Sequence, residues 1–277
     1  MSENKIIIQS SKGIPKLDLK ELIQYKDLFL LLAYRDYRVR YAQTFLGFLW
    51  AFIQPFATLL IFIVVFSKAA KVDTGDIPYP LFAICGMAGW TFFAFVLSNS
   101  GNSIVGAQQM IQKIYFPKLI IPMAKAIVGF VDFGIAFIFI IIICIYYQFV
   151  PSSNIIFLPI YIIMTVFAAL TVGIWLSALT IRFRDFQHVV PFLVQFGLYA
   201  TPIGYPAELI TNSLPKWASF IYFLNPMAGV VEGFRWSILG GNLPNEYSYI
   251  SFSVTIILFI LGLFYFKKVE EIMADIV

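Results

Sequence analysis

The sequence predicts an all-α integral membrane protein. It has six transmembrane helices, an N-terminal amphipathic interface helix, and short re-entrant gate helices between the fifth and sixth crossings. Three observations predict it. Of the 277 residues, 60% are hydrophobic and 12% charged, against about 25% charged in a typical soluble domain, and one soluble core of this size could not hide so much apolar surface. The apolar residues gather into charge-free runs of about 20 residues, the length a helix needs to cross the hydrocarbon core. Finally, the Lys and Arg residues between those runs alternate between rich and poor segments, as in a chain that weaves through a bilayer with a fixed orientation.

Residues 1–17 read as a loose cytoplasmic tail. Residues 18–44 read as an amphipathic helix at the membrane surface. Asp18 followed by Glu21 fits a capping-box variant, and Leu19, Leu22 and Ile23 recur at helical spacing. Toward its end Arg35, Arg38 and Arg40 interleave with Tyr34, Tyr37 and Tyr41, the pattern of a basic, aromatic helix pressed on the inner face of a membrane before its first crossing. A plain topogenic anchor has the same composition, and the residues alone leave both readings open.

The six crossings fall at about 45–66, 81–105, 120–147, 155–181, 189–207 and 247–266. The third carries Lys125 and Asp132 in its first half; the other five contain no Asp, Glu, Lys or Arg. Between the fifth and sixth, Trp217–Val231 is too short to span and is broken by Asn225-Pro226, which suits a re-entrant or interfacial segment. Six crossings put both termini on one side. With the termini inside, 15 of the 19 Lys and Arg residues are cytoplasmic, and only Lys68, Lys71, Lys216 and Arg235 lie outside; the bias favours cytoplasmic termini. The first 27 residues lack an apolar run, so no cleavable signal peptide is expected.

Several chemistries are excluded. The chain has no Gly-Lys dipeptide and therefore no conventional P-loop for ATP. One histidine, His188, and two cysteines, Cys85 and Cys144, cannot build a metal site of ordinary spacing. The cysteines read as packing thiols rather than a disulfide, and His188, beside Arg182, Arg184 and Asp185, as a loop residue rather than a base. Asp132 is the single mid-membrane carboxylate, about 18 Å along its helix. An ion-driven carrier would place several ionisable groups there, so Asp132 reads better as a helix–helix hydrogen-bonding group. The energy for transport is then expected from a partner.

After the second crossing, residues 106–118 turn amphipathic and end in Tyr115-Phe116-Pro117-Lys118. Pro117 cannot continue a helix over Gly106–Tyr115, so a short helix and a sharp turn are expected. Such a helix, tipped by two aromatics and flanked by lysines, can plug a groove on a soluble partner; periodicity alone favours an ordinary loop.

Four segments together resemble the permease subunit of bacterial ABC exporters for lipid-linked polysaccharides, the type-2 ABC permeases of O-antigen, capsule and teichoic acid export. They are RDYRVRYAQTFLGFLWAFIQP at 35–55, IQKIYFPKLIIP at 111–122, RFRDFQHVVPFLVQ with TPIGYP at 182–206, and NPMAGVVEGFRWSIL at 225–239. They match in order and spacing and span nearly the whole chain except the N-terminal tail and the 67–80 loop. The resemblance implies a multi-pass permease of the bacterial inner membrane that pairs with itself and with two copies of a separate ATPase. ATP and Mg would be bound there, so this chain is no enzyme and holds no cofactor or metal, and no nucleic acid is involved.

Within this chain the resemblance implies ATPase coupling by residues 106–118, through Gln108, Gln109, Lys113, Tyr115, Phe116, Pro117 and Lys118. Arg35, Arg38 and Arg40, with Tyr41, are candidates to meet a lipid diphosphate bidentately, and snorkelling to anionic lipid remains an equal alternative. Pro202 and Pro206 end the fifth crossing early, leaving residues 207–240 for outer gate helices on which Glu232 and Arg235 are expected to pair. Tyr199, Tyr205, Trp217, Tyr222 and Phe223 cluster toward the outer end, where rings can carry a glycan or form an interfacial aromatic belt. A related exporter of smaller cargo, such as a drug, haem or lipid, is the alternative. A membrane glycosyltransferase or acyltransferase would need catalytic carboxylates in a cleft, and this chain has few.

Overall fold

The structure, a computed structural model, describes residues 19–41 and 47–276. Among them every regular element is helical. Helix α1 (Leu19–Gln24) and helix α2 (Lys26–Tyr41) form the N-terminal arm, separated by one turn residue, Tyr25. Asp18, and with it the capping box, lies outside the described residues.

Five helical stretches are long and apolar enough to cross a membrane: Gly47–Ala69, Tyr79–Gly101, Ile120–Tyr146, Ser153–Arg182 and Ser248–Glu271. The chain is a multi-pass membrane protein. The first stretch holds α3 (Trp50–Phe62) and continues as a π-helical turn over Ile63–Ala69. The others are α4 (Tyr79–Gly101), α7 (Ile120–Tyr146), α8 (Leu158–Arg182) and α13 (Ser248–Ile276). Between α4 and α7 come two one-turn helices, α5 (Ser103–Gly106) and α6 (Gln108–Ile111). This corrects the single helix expected over Gly106–Tyr115: the chain leaves helical geometry after Ile111, two turns before Pro117.

The fifth expected crossing is also corrected. Helix α9 runs Phe186–Ala200, starting three residues earlier and ending seven earlier than 189–207. At about 22 Å it is shorter than a full crossing. Thr201, with its extended backbone, ends it just before Pro202, where the missing N–H and the ring forbid a further turn. Three short helices follow: α10 (Glu208–Ser213), α11 (Lys216–Tyr222) and α12 (Pro226–Leu239). Asn225 caps α12, its side chain accepting the Met227 N–H at 3.0 Å; Pro226 takes the first helical position, and Gly240, at φ +80°, ends it.

Helix α4 is the hub. It is buried along most of its length and packs against α7, α8, α9 and α12, while α13 covers α8 and α12. Small residues allow these approaches, since helices in a bilayer gain stability from close packing. Gly233 of α12 is the tightest case: a Cβ there would overlap the ring of Tyr161 on α8. Cys85 and Cys144 are free and buried.

Candidate functional site

Two ion pairs fasten the N-terminal arm to α7. Asp36 meets Lys125 at 2.5 Å, and one turn further Arg40 meets Asp132 at 2.8 Å. Desolvation alone would raise the Asp36 carboxyl, but hydrogen bonds from Lys125 and Arg35 prevail and hold it below its ordinary value. Tyr41 donates to Asp132 at 3.3 Å; burial first, then the Asp132 carboxylate, push its phenol up to about 12. Asp132 is therefore the interhelical bonding group the sequence suggested.

The expected basic trio is divided by this arrangement. Arg35 pairs with its neighbour Asp36, Arg38 is exposed with its head 5.9 Å from the Tyr34 ring centre, and only Arg40 turns inward, its guanidinium 4.4 Å from the Phe95 ring centre.

Arg40 and Asp132 sit on the wall of a cavity of about 380 Å³ enclosed by α3, α4, α7 and α9. Among the described residues its polar lining is otherwise uncharged: Gln54 and Thr58 of α3, Thr91, Ser98 and Asn99 of α4, and Gln195 of α9, with Trp90 and Phe95 as aromatic walls. Sequence reasoning missed these residues. Their signal was present as amides and hydroxyls at helical spacing, 54/58 and 91/98, inside otherwise apolar spans, where a polar side chain marks a pathway or a packing bond. Such a cavity offers hydrogen-bond donors and acceptors to a neutral polar ligand and one guanidinium to an anion.

A second site lies around the loop between α4 and α7. Gln108, Gln109 and Lys113 lie on or just after α6, with Gln109 and Lys113 exposed. Tyr115 is exposed and donates to Glu21 of α1 at 3.0 Å, while Tyr25 donates to the Tyr115 carbonyl at 3.3 Å. Phe116, by contrast, is 3% exposed and belongs to this chain's own core, and Pro117 is buried beside it. Glu270 of α13 accepts the Lys118 N–H at 2.8 Å. The loop is thus held by carboxylates from both ends of the chain, Glu21 and Glu270, neither of which the sequence singled out for this role.

At the opposite end of the bundle, the turn 201–206 is organised by Arg235. The residue is 7% exposed, and its guanidinium donates to the carbonyls of Phe82 at 3.2 Å, Pro202 at 2.5 Å, Tyr205 at 3.4 Å, and Ile203, with the Phe82 ring centre 3.6 Å from Cζ. Glu232 is bonded to Ser248 instead. The expected Glu232–Arg235 pair does not form, because the guanidinium is drawn across to the turn carbonyls and the carboxylate to the start of α13.

The aromatic candidates also separate. Tyr205 and Tyr222 share a hydroxyl contact of 3.1 Å, and Tyr205 lies 2.9 Å from the Tyr199 carbonyl. Tyr199 and Trp217 are exposed, and Phe223 is fully buried. Among the described residues no group of His, Cys, Asp and Glu could hold a metal ion.

Comparison with known proteins places this geometry. Residues 27–239 match the ABC-2 type transporter family. The chain is 30% identical over 251 residues to the O-antigen export system permease protein RfbA of Klebsiella pneumoniae, covering 90% of this chain and 95% of that one. It is 25% identical to the RfbA permease of Myxococcus xanthus, over 82% of this chain and 86% of that one. To the polysialic acid transport protein KpsM of Escherichia coli it is 26% identical, over 86% and 92%.

Proposed function

The chain belongs to the ABC-2 type transporter family, and from that premise we propose that it is the permease subunit of an ATP-driven polysaccharide exporter. Two copies enclose a channel and pair with two copies of a separate ATP-binding subunit, which carries the ATP and Mg. A lipid-linked polysaccharide of the O-antigen, capsule or teichoic acid type is loaded at the cytoplasmic face and leaves across the inner membrane.

The observation that carries this reading is the cavity beside Arg40. Amides and hydroxyls with aromatic walls suit sugar rings, which present hydroxyls at their rims and C–H groups on their faces. The one accessible cation suits the phosphate of a lipid carrier. Helices α3 and α9, which flank the cavity, leave Trp50, Ile53, Phe56, Phe192, Phe196 and Tyr199 exposed; a second copy packed there closes the groove into a channel. In this reading α9 with the turn 201–207 is the fifth crossing of six, α10 to α12 are the outer gate, both termini are cytoplasmic, and α1, α2 and the loop 106–118 face the ATPase. Tyr115, Gln109 and Lys113 are the exposed contacts for that partner, while Phe116 acts from within by fixing the loop.

The cavity volume, within the range of drug-sized pockets, favours one second reading, an exporter of smaller cargo. Co-purification with a co-expressed ABC-type ATPase, followed by ATPase assay with lipid-linked glycan and with small amphiphiles, separates the two. Glycan stimulation supports polysaccharide export; stimulation by amphiphiles alone supports the second reading.

A further inference from the structure

We propose that Asp132 is a built-in counter-anion for Arg40, displaced when a phosphate group of the cargo enters the cavity and takes the guanidinium; this rests on the cavity being the cargo path. Among the described residues, Arg40 and Asp132 are the only charged ones lining it. Both lie in the cavity wall, and their side chains keep 29% and 16% exposure. Neutral sugars cannot compete with a carboxylate for a guanidinium, whereas a phosphate can, since it presents the same bidentate oxygen edge with more charge.

Three details make the exchange feasible. The Asp36–Lys125 pair holds α2 to α7 independently, so opening the Arg40–Asp132 pair does not detach the arm. Phe95, stacked against Arg40, fixes the plane of the guanidinium while its partner changes. Tyr41 donates to Oδ1 of Asp132, the oxygen that Arg40 does not pair with, and stays to receive the released carboxylate. Stripping a partly buried charge of its partner without replacement is unfavourable; substitution of one anion by another avoids that state. The amides of Gln54 and Gln195 on the same walls can donate to the remaining phosphate oxygens.

The test is binding to the purified full chain in lipid nanodiscs, with geranylgeranyl diphosphate, geranylgeraniol and inorganic pyrophosphate as probes. Asp132→Asn is expected to bind the diphosphate lipid about tenfold more tightly than the native chain, and Arg40→Gln to lose that binding, with geranylgeraniol unaffected by either. A gain that extends to pyrophosphate identifies the phosphate group alone as the ligand; a gain confined to the lipid identifies a membrane-anchored headgroup. Unchanged or weaker binding by a monodisperse Asp132→Asn overturns the exchange. Should that variant not fold, the native chain decides: the diphosphate lipid should increase carbodiimide labelling of Asp132, and protection or no change rejects the proposal. Polysaccharide export by the same protein with its ATPase separates the two readings, since export with no effect of Asp132→Asn on affinity rejects the exchange alone.

Discussion

Replacing Arg235 tests how the turn after α9 is held. The Phe82 carbonyl lies in the first turn of α4 and can accept an intrahelical bond, but Pro202, Ile203 and Tyr205 lie in a turn and depend on the guanidinium. Arg235→Leu leaves the buried Pro202 and Ile203 carbonyls without that donor, at about 1–3 kcal/mol each, and the half-buried Tyr205 carbonyl without a longer bond. Against this stands the desolvation of the buried cation, several kcal/mol, which the leucine removes. The turn is closed over by Tyr79, which donates to the Gly204 carbonyl at 2.9 Å, and by Phe66 against Gly204. Water cannot readily replace the lost donors, so a net loss of about 1–3 kcal/mol should remain. Arg235→Lys keeps the charge but offers a point donor in place of a fork, and should fall between. The assay is thermal unfolding in detergent followed by fluorescence-detected gel filtration. Gly86→Ala is an independent probe, because its Cβ would stand 2.7 Å from Arg235 Nη2, and should reproduce part of the loss. If Arg235→Leu or Arg235→Lys unfolds at the same temperature as the native chain, the fork does not organise the turn.

The remaining predictions concern the other end of the molecule. Phe116→Ala should cost about 3–5 kcal/mol, as a buried aromatic does, whereas Tyr115→Ala should leave the melting temperature nearly unchanged and weaken capture of the ATPase; melting curves and pull-down distinguish them. Glu270→Ala should lower ATP-driven export per ATP hydrolysed, because Lys118 loses its tie to α13, with Glu270→Gln, which keeps an acceptor, nearer normal. Asp36, held below its ordinary value, stabilises the arm above that value of 3.8, and the contribution disappears as pH falls through the lower folded value. Protease sensitivity of α2 should therefore rise only in strong acid, and Asp36→Asn should show the raised sensitivity already at neutral pH.

The parts of the fold legible in the sequence were those governed by hydrophobic length. Charge-free runs located four of the five long crossings to within a few residues at most ends, and the clean second half of the third located that one, because a helix satisfies its own backbone groups within the bilayer. Proline-rich TPIGYP likewise announced the early end of α9. The errors fall where polar side chains choose among several partners. Glu232 and Arg235 stand three residues apart on one helix, a spacing that suits an ion pair, yet each found a better partner on an element distant in sequence, Ser248 and the 201–206 turn. The same long-range choice assigned Arg40 to Asp132 and Lys118 to Glu270. The cavity was illegible for a related reason: Gln54, Thr91, Asn99 and Gln195 acquire meaning only when α3, α4 and α9 converge. Phe116 shows the limit of local pattern most plainly, since adjacent aromatics in a loop point one outward and one into the core.

The central claim, an ATP-powered permease for polysaccharide, is tested most directly by reconstitution. The chain and a co-expressed ABC-type ATP-binding subunit would be placed in liposomes with a labelled lipid-linked glycan on the ATPase side. The account predicts that ATP moves the glycan to the opposite side, where it escapes a glycosidase added with the ATP, and that neither protein does so alone. Glycan that stays fully accessible to the glycosidase in a complex that hydrolyses ATP would contradict it.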